Sequence, residues 1–126
     1  EKNKEKENQL LSAFTFRIID RNIQNLEIPK NQYTKWFDYD KINVKLQIRF
    51  RQEGDYFLLD DSGRKKKLKD YFINEKIPRE DREKIPLLVD GKHVLWIVGY
   101  RISAYYKVTG NTARILEVHY NGGNKQ

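Results

Sequence analysis

No cysteine occurs in the 126 residues, and this absence excludes disulfides, thiolate metal sites and cysteine nucleophiles together, while fitting a reducing compartment. Histidine is nearly as scarce: His93 and His119 are the only two. They stand at no metal-ligand spacing, so each reads as a structural or exposed side chain. No stretch approaches the ~20 apolar residues of a membrane helix, and the opening EKNKEKENQ lacks the apolar centre of a signal peptide. A soluble, cytoplasmic chain with no membrane contact is expected. No interval repeats, and low complexity is confined to the termini.

What is abundant is charge. Charged residues make up 34% of the chain beside 38% apolar residues, a globular balance, and 126 residues suffice for one core. Lysine and arginine outnumber aspartate and glutamate 25 to 18, a formal net charge of +7. Such a surplus raises the local concentration of phosphate-bearing polyanions, nucleic acid first among them. It also serves solubility alone, and composition does not separate the two.

Along the chain, residues 1–9 alternate acid and base without apolar period, as a linker or the frayed end of a helix does. Phe14, Phe16 and Ile18 then alternate with polar residues as on a half-buried strand, and a turn is expected at residues 22–25 before a short strand near 26–28. Tyr33, Trp36, Phe37 and Tyr39 are too dense for a clear period; they read as an aromatic plug in the core, or as a platform for stacking bases. Val44, Leu46, Ile48 and Phe50 alternate with Lys45, Gln47, Arg49 and Arg51. That pattern predicts a strand with one apolar and one basic face, either a phosphate-following row or a solvated surface.

Asp60 and Asp61 lie in a loop with no convergent partner groups, which argues against a metal or acid–base pair. From residue 65, Leu68, Tyr71 and Phe72 share a helical face bordered by Lys65, Lys69 and Lys76. Pro78 opens a second helix over residues 78–84 with Glu80 and Asp81 early in it, and Pro86 ends it. This second helix is too short to read a DNA major groove. The run LLVD, the turn Asp90-Gly91-Lys92 and HVLWIV predict a hairpin with at least its second strand buried on both faces, followed by an irregular connection at 100–107 and a last strand over residues 113–120. The sum is an α+β domain: a mixed or antiparallel sheet packed with two short helices.

Several of these segments carry a resemblance. RFRQEGD at 49–55, KKLKDYFINEKIPREDREKIPLLVDG at 66–91, VLWIVGYRIS at 94–103 and YKVT at 106–109, preceded by FDYDKI at 37–42, closely resemble the C-terminal domain of bacterial tRNA(Ile)-lysidine synthases. The resemblance implies a fold similar to a domain of the phenylalanyl-tRNA synthetase beta subunit. It also implies an activity for the parent protein, ATP-dependent ligation of lysine to the wobble cytidine of tRNA(Ile). In that family an N-terminal catalytic domain with an SGGxDS loop uses ATP, magnesium and lysine. No such loop occurs here, Gly122-Gly123 being the only glycine pair, so no cofactor or catalytic residue is expected in this chain.

The implied division is a connecting region at 1–36, a tRNA-binding domain at 37–120 and a flexible tail at 121–126. The implied partners are tRNA(Ile), held at its acceptor stem and backbone, and the catalytic domain of the same protein, with a homodimer a further option. Arg49, Arg51, Lys66, Lys67, Lys69, Lys76, Arg79, Arg82 and Arg101 stand where the family places basic residues and are the expected phosphate contacts. Tyr56 departs from the family, in which an arginine is common there, and the 58–62 loop is acidic. Two other classes compete: a structural or dimerisation module whose charge is incidental, and a hydrolase using Asp55, Asp60 or Asp61, for which no nucleophile or paired base is present.

Overall fold

The computed structural model describes residues 2–22 and 26–124. Helix α1 (Lys2–Leu11) leads into strand β1 (Phe14–Asp20), and β2 (Thr34–Asp38) follows. Then come β3 (Leu46–Arg49), β4 (Tyr56–Leu58), β5 (Lys65–Lys67), α2 (Leu68–Asn74) and α3 (Arg79–Arg82). Strands β6 (Leu87–Asp90), β7 (His93–Ile97), β8 (Arg101–Ile102) and β9 (Arg114–Tyr120) complete the order. Most of the turn expected at 22–25 and the last two residues of the tail lie outside the described residues; Asn121–Asn124 form a 3-10 turn.

The strands make two sheets, β1-β9-β2 and β3-β6-β7-β4-β5 with β8 on β7. The first is antiparallel, and the second is mixed because β4 runs parallel to β7 where Tyr56 meets His93. This is the expected α+β arrangement. Between the sheets lie Phe14, Phe37, Ile48, Leu88, Leu95, Trp96, Tyr106, Leu116 and Val118. On the far face of the larger sheet, Phe57, Leu87, Val89, Val94 and Ile97 pack against Leu68, Tyr71 and Phe72 of α2. Leu87, Leu88 and Val89 alternate between these two cores. That is why LLVD and HVLWI read as unbroken apolar runs: strands covered on both faces have no solvent side to mark.

The hairpin joining β6 to β7 pairs Asp90 with His93, leaving Gly91-Lys92 as a two-residue loop with Gly91 at φ +68°. A first loop residue at positive φ is the geometry that matches the twist of hairpin strands and selects glycine.

The dense aromatic segment is strand β2, with Trp36 and Phe37 buried, so the core reading holds. Four other expectations change. No strand forms at residues 26–28. The expected boundary at Phe37 falls inside β2, and β1 pairs with β9 along its whole length, so residues from Phe14 onward belong to the same packed unit. On β1 the apolar alternation does not mark the buried face: Phe14 and Ile19 are buried, whereas Phe16 and Ile18 are exposed. Lys65–Lys67 form an edge strand rather than the first turn of the helix, which starts at Leu68. Three adjacent lysines gain nothing from a helix, whereas the extended run pairs with β4, and the Leu68 N–H is then taken by the Asp55 carbonyl at 3.0 Å.

Candidate nucleic-acid interface

The segment RFRQEGD builds the floor of the site. Arg49 ends β3 with its side chain buried; it donates through Nη1 and Nη2 to the two carboxylate oxygens of Asp55 at 3.0 and 2.8 Å. Its guanidinium also reaches the carbonyls of Phe50 and Gly91, while Asp55 accepts the Gln52 N–H at 2.8 Å. Both terminal nitrogens make two hydrogen bonds each inside the protein, so Arg49 is a clamp on the 50–55 turn. The expected phosphate contact at Arg49 is corrected on this ground. The basic row expected on this strand breaks with it, because β3 is covered on both faces at its end.

Two residues on, Arg51 faces outward and meets Glu83 at 2.7 Å, with its guanidinium over the Phe72 ring. Around it opens a groove of about 760 Å³, lined among others by Arg51, Tyr56, Lys65, Lys67, Lys69 and Glu83. A second groove, of about 580 Å³, shares Arg51, Lys69 and Glu83 with the first and adds Arg79 and Arg82. The two therefore run into one another along the start of α2 and the top of α3. Carboxylates line them as well: Asp55 is committed to Arg49 and Glu83 to Arg51, whereas exposed Glu53 makes no ion pair among the described residues. Asp70 and Glu80 occupy the first turns of α2 and α3, where helix dipoles favour negative charge.

Of the expected residues, then, Arg51, Lys67, Lys69, Arg79 and Arg82 are brought together. Lys66 is not: Lys67 opposes Tyr56 and Lys65 opposes Leu58, whereas Lys66 opposes Phe57 and so points to the other face of the sheet. Lys76 is exposed beyond the end of α2 and lines neither groove. Arg101 is half-buried over the Phe57 ring, with Nη2 donating to the Leu59 carbonyl. Lys65 joins the groove although it was expected only to flank the helix. Its role follows from strand pairing, which the KKK run does not disclose.

Behind the groove a polar network fixes the hairpin. Burial pushes the Asp90 carboxyl up, but the N–H groups of Asn43, Val44 and Lys45 and the Tyr106 hydroxyl outweigh it, leaving it below the usual carboxylate range. Burial, then the Asp90 hydrogen bond, raises the Tyr106 phenol. Burial also brings His93 down to about 4, against the attraction of Asp90, so at neutral pH its ring is uncharged and shares a hydrogen bond with Ser103 Oγ at 2.8 Å. On the surface, Asp60 is held at about 2 by the Ser62 hydroxyl and Arg64, closing its own loop. It is an ionised acceptor, not a proton donor.

Comparison with known proteins decides what such a surface belongs to. The family described as "TilS substrate C-terminal domain" matches residues 46–119. The chain belongs to this family. It is 47% identical over 110 residues to the tRNA(Ile)-lysidine synthase of Caldanaerobacter subterraneus, covering 87% of this chain and 23% of that protein. With the enzyme of Clostridium acetobutylicum identity is 44% over 102 residues, covering 81% and 22%. A crystal structure of a TILS C-terminal domain superposes with a TM-score of 0.65 at 27% identity, covering 88% of this chain and 85% of that one. The chain thus spans under a quarter of the length of these curated relatives. The structural match reaches beyond the 46–119 segment, consistent with β1 and β2 being built into the same unit. No helix among the described residues is long and apolar enough to cross a membrane.

Proposed function

We propose that this domain binds tRNA(Ile) through its phosphate backbone and positions it for lysine ligation by a catalytic domain outside this chain. The observation that carries the reading is the pair of confluent grooves in which Arg51, Lys67, Lys69, Arg79 and Arg82 converge. An A-form duplex hides its base edges in a narrow major groove, so a wall of cations that follows phosphates is the means of holding it. ATP, lysine and magnesium would be handled by the catalytic domain. Among the described residues no group of three or more acidic or histidine side chains is placed to hold a metal, and no step is assigned to one here.

The test is affinity of this chain for tRNA(Ile) and for an unrelated tRNA across a salt series, beside Lys67→Glu/Lys69→Glu and Arg17→Glu. Each neutralised phosphate contributes a slope of about 0.9 in log affinity against log salt, so the double variant should lose about two units of slope and at least about tenfold in affinity. Arg17, paired with Glu117 on the other sheet, should leave binding unchanged. Binding indifferent to salt would sink the reading.

A second reading, a dimerisation module, has one observation in its favour. Leu11, Phe16 and Ile18 are exposed on one side, beside an apolar cleft that reaches Leu46, Ile48 and Leu88. Sedimentation that shifts with concentration, and is abolished by Phe16→Glu, would support it.

A further inference from the structure

Five side chains form a ladder that reaches the first groove and that phosphate binding does not explain. The Tyr56 ring lies 4.8 Å from His93 at 34°, and His93 lies 5.4 Å from Tyr105 at 32°. A lysine caps each end: Lys41 Nζ is 4.9 Å from the Tyr105 centroid, and Lys65 Nζ is 4.3 Å from that of Tyr56. The two caps differ. Lys41 is pinned by donating to the Tyr105 carbonyl at 3.1 Å. Lys65 stands exposed on the edge strand, and among the described residues its ammonium makes no ion pair. A lysine on a sheet edge is an ordinary guard against edge-to-edge pairing. That accounts for its charge, but not for an aromatic ring beneath it at the wall of the first groove.

The Tyr56 ring cannot shift inward, because His93 behind it is buried and held by Ser103. Over the ring, 4.3 Å from its centroid, lies the ammonium of Lys65, whose flexible four-carbon chain can swing to a neighbouring phosphate at little cost. We infer that Tyr56 is a stacking platform for one unpaired nucleobase, with Lys65 as its placeholder, so that the domain prefers a junction of duplex and single-stranded RNA over duplex alone. This rests on the proposed RNA-binding role and specifies the part of the RNA that the first groove receives. The flat π-face takes any base, so the preference is for an unpaired base and not for a sequence. The duplex phosphates lie along Lys67, Lys69 and Arg51, which share the groove with Tyr56.

The experiment uses this chain, a blunt-ended RNA hairpin, and the same hairpin with a short single-stranded extension on either strand in turn, carrying an emissive adenine analogue. The extended form should bind at least about 5-fold and up to about 150-fold tighter, by the usual worth of base–aromatic stacking, and the emission should be quenched on binding. Tyr56→Phe should keep both effects, and Lys65→Met should keep the quenching because the ring remains. Tyr56→Leu, shown by its thermal midpoint to be folded, should lose both effects while binding the blunt hairpin as before. Should Tyr56→Leu not fold, quenching in the wild-type chain and its retention in Tyr56→Phe and Lys65→Met decide the matter. Equal affinity for blunt and extended hairpins without quenching overturns the platform and leaves the phosphate reading standing. A preference that survives in folded Tyr56→Leu overturns it too. Binding of no RNA at all overturns both.

Discussion

The three-stranded sheet and the lysine-bearing edge of the larger one use their cations differently. On the three-stranded sheet arginine is matched to acid: Arg17 to Glu117 at 3.1 Å, Arg114 to Asp40, with Arg21 donating to the Thr109 carbonyl. Along β5 and the start of α2, Lys65, Lys67 and Lys69 make no ion pair among the described residues. An ion pair on the surface contributes at most about 1 kcal/mol to stability, so the first arrangement does little more than hold neighbouring strands in register. The second leaves charge available to something else. A net charge of +7 is therefore informative only by where it is left unmatched.

Arg49 and Arg51 compress this contrast into three residues, and replacing each in turn breaks it most severely. Truncating Arg49 strands the Asp55 carboxylate in a buried site. Arg49→Met should cost about 3–5 kcal/mol in urea unfolding, the usual penalty for orphaning a buried charge. Arg51→Ala, at a pair whose glutamate is well exposed, should cost about 1 kcal/mol or less. Its loss should appear in RNA affinity instead. Equal destabilisation by the two changes would mean that the outward arginine is also part of the scaffold.

Acid should separate the two regions next. His93, lowered to about 4 from an ordinary 6.5, takes a proton in the unfolded chain that the folded one refuses. Stability is therefore full above about pH 6.5 and falls as the pH drops through that window to about 4, by up to about 3 kcal/mol. Replacing His93 with Gln should flatten this arm. On the other sheet, burial raises Glu117 but hydrogen bonds from Trp36 and Arg17 bring it below its usual range, so its contribution is lost only at still lower pH. Urea midpoints from pH 7 to 4 should fall in the wild type and stay level, in this respect, in His93→Gln.

A milder change sharpens the contrast from the groove side. Glu83 neutralises Arg51 at the point where the two grooves join. Glu83→Gln should free that guanidinium and raise RNA affinity about two- to fivefold at low salt, an amount typical of one exposed charge. The gain should fade as salt rises. A loss of affinity would show that Glu83 orients Arg51 productively.

How far this division was legible in the sequence depends on the kind of element. Continuous apolar runs in β6 and β7, the Asp90-Gly91 turn and the Leu68, Tyr71, Phe72 face all correspond to burial in the structure, because each pattern reports its own surroundings. The family, too, is visible in the motifs from RFRQEGD onward. Alternation misled at β1 and β3 for one physical reason. Period two says that faces differ, not which of them is covered, and a buried salt bridge puts an arginine on an inward face without disturbing the pattern. The lysine run failed similarly: helix and edge strand both accept it, and only pairing with β4 turns Lys65 and Lys67 toward the groove and Lys66 away.

Lys76 draws the boundary of the site and is the gentlest place to probe it. It sits just past α2 with φ +57°, its N–H bonded to the Ile73 carbonyl at 3.0 Å and the Ile77 N–H to that of Phe72 at 3.1 Å. That is the left-handed helix ending usually given to glycine, with Ile77 and Phe72 supplying the accompanying apolar contact. A Cβ there costs about 1 kcal/mol, partly offset because glycine makes the unfolded chain freer. Lys76→Gly should therefore stabilise the domain by up to about 0.5 kcal/mol, a rise of about two degrees in thermal midpoint. Since Lys76 lies outside both grooves, RNA affinity and its salt slope should not move. If the slope falls by about one, Lys76 meets a phosphate, and the RNA-bearing face extends past the end of α2.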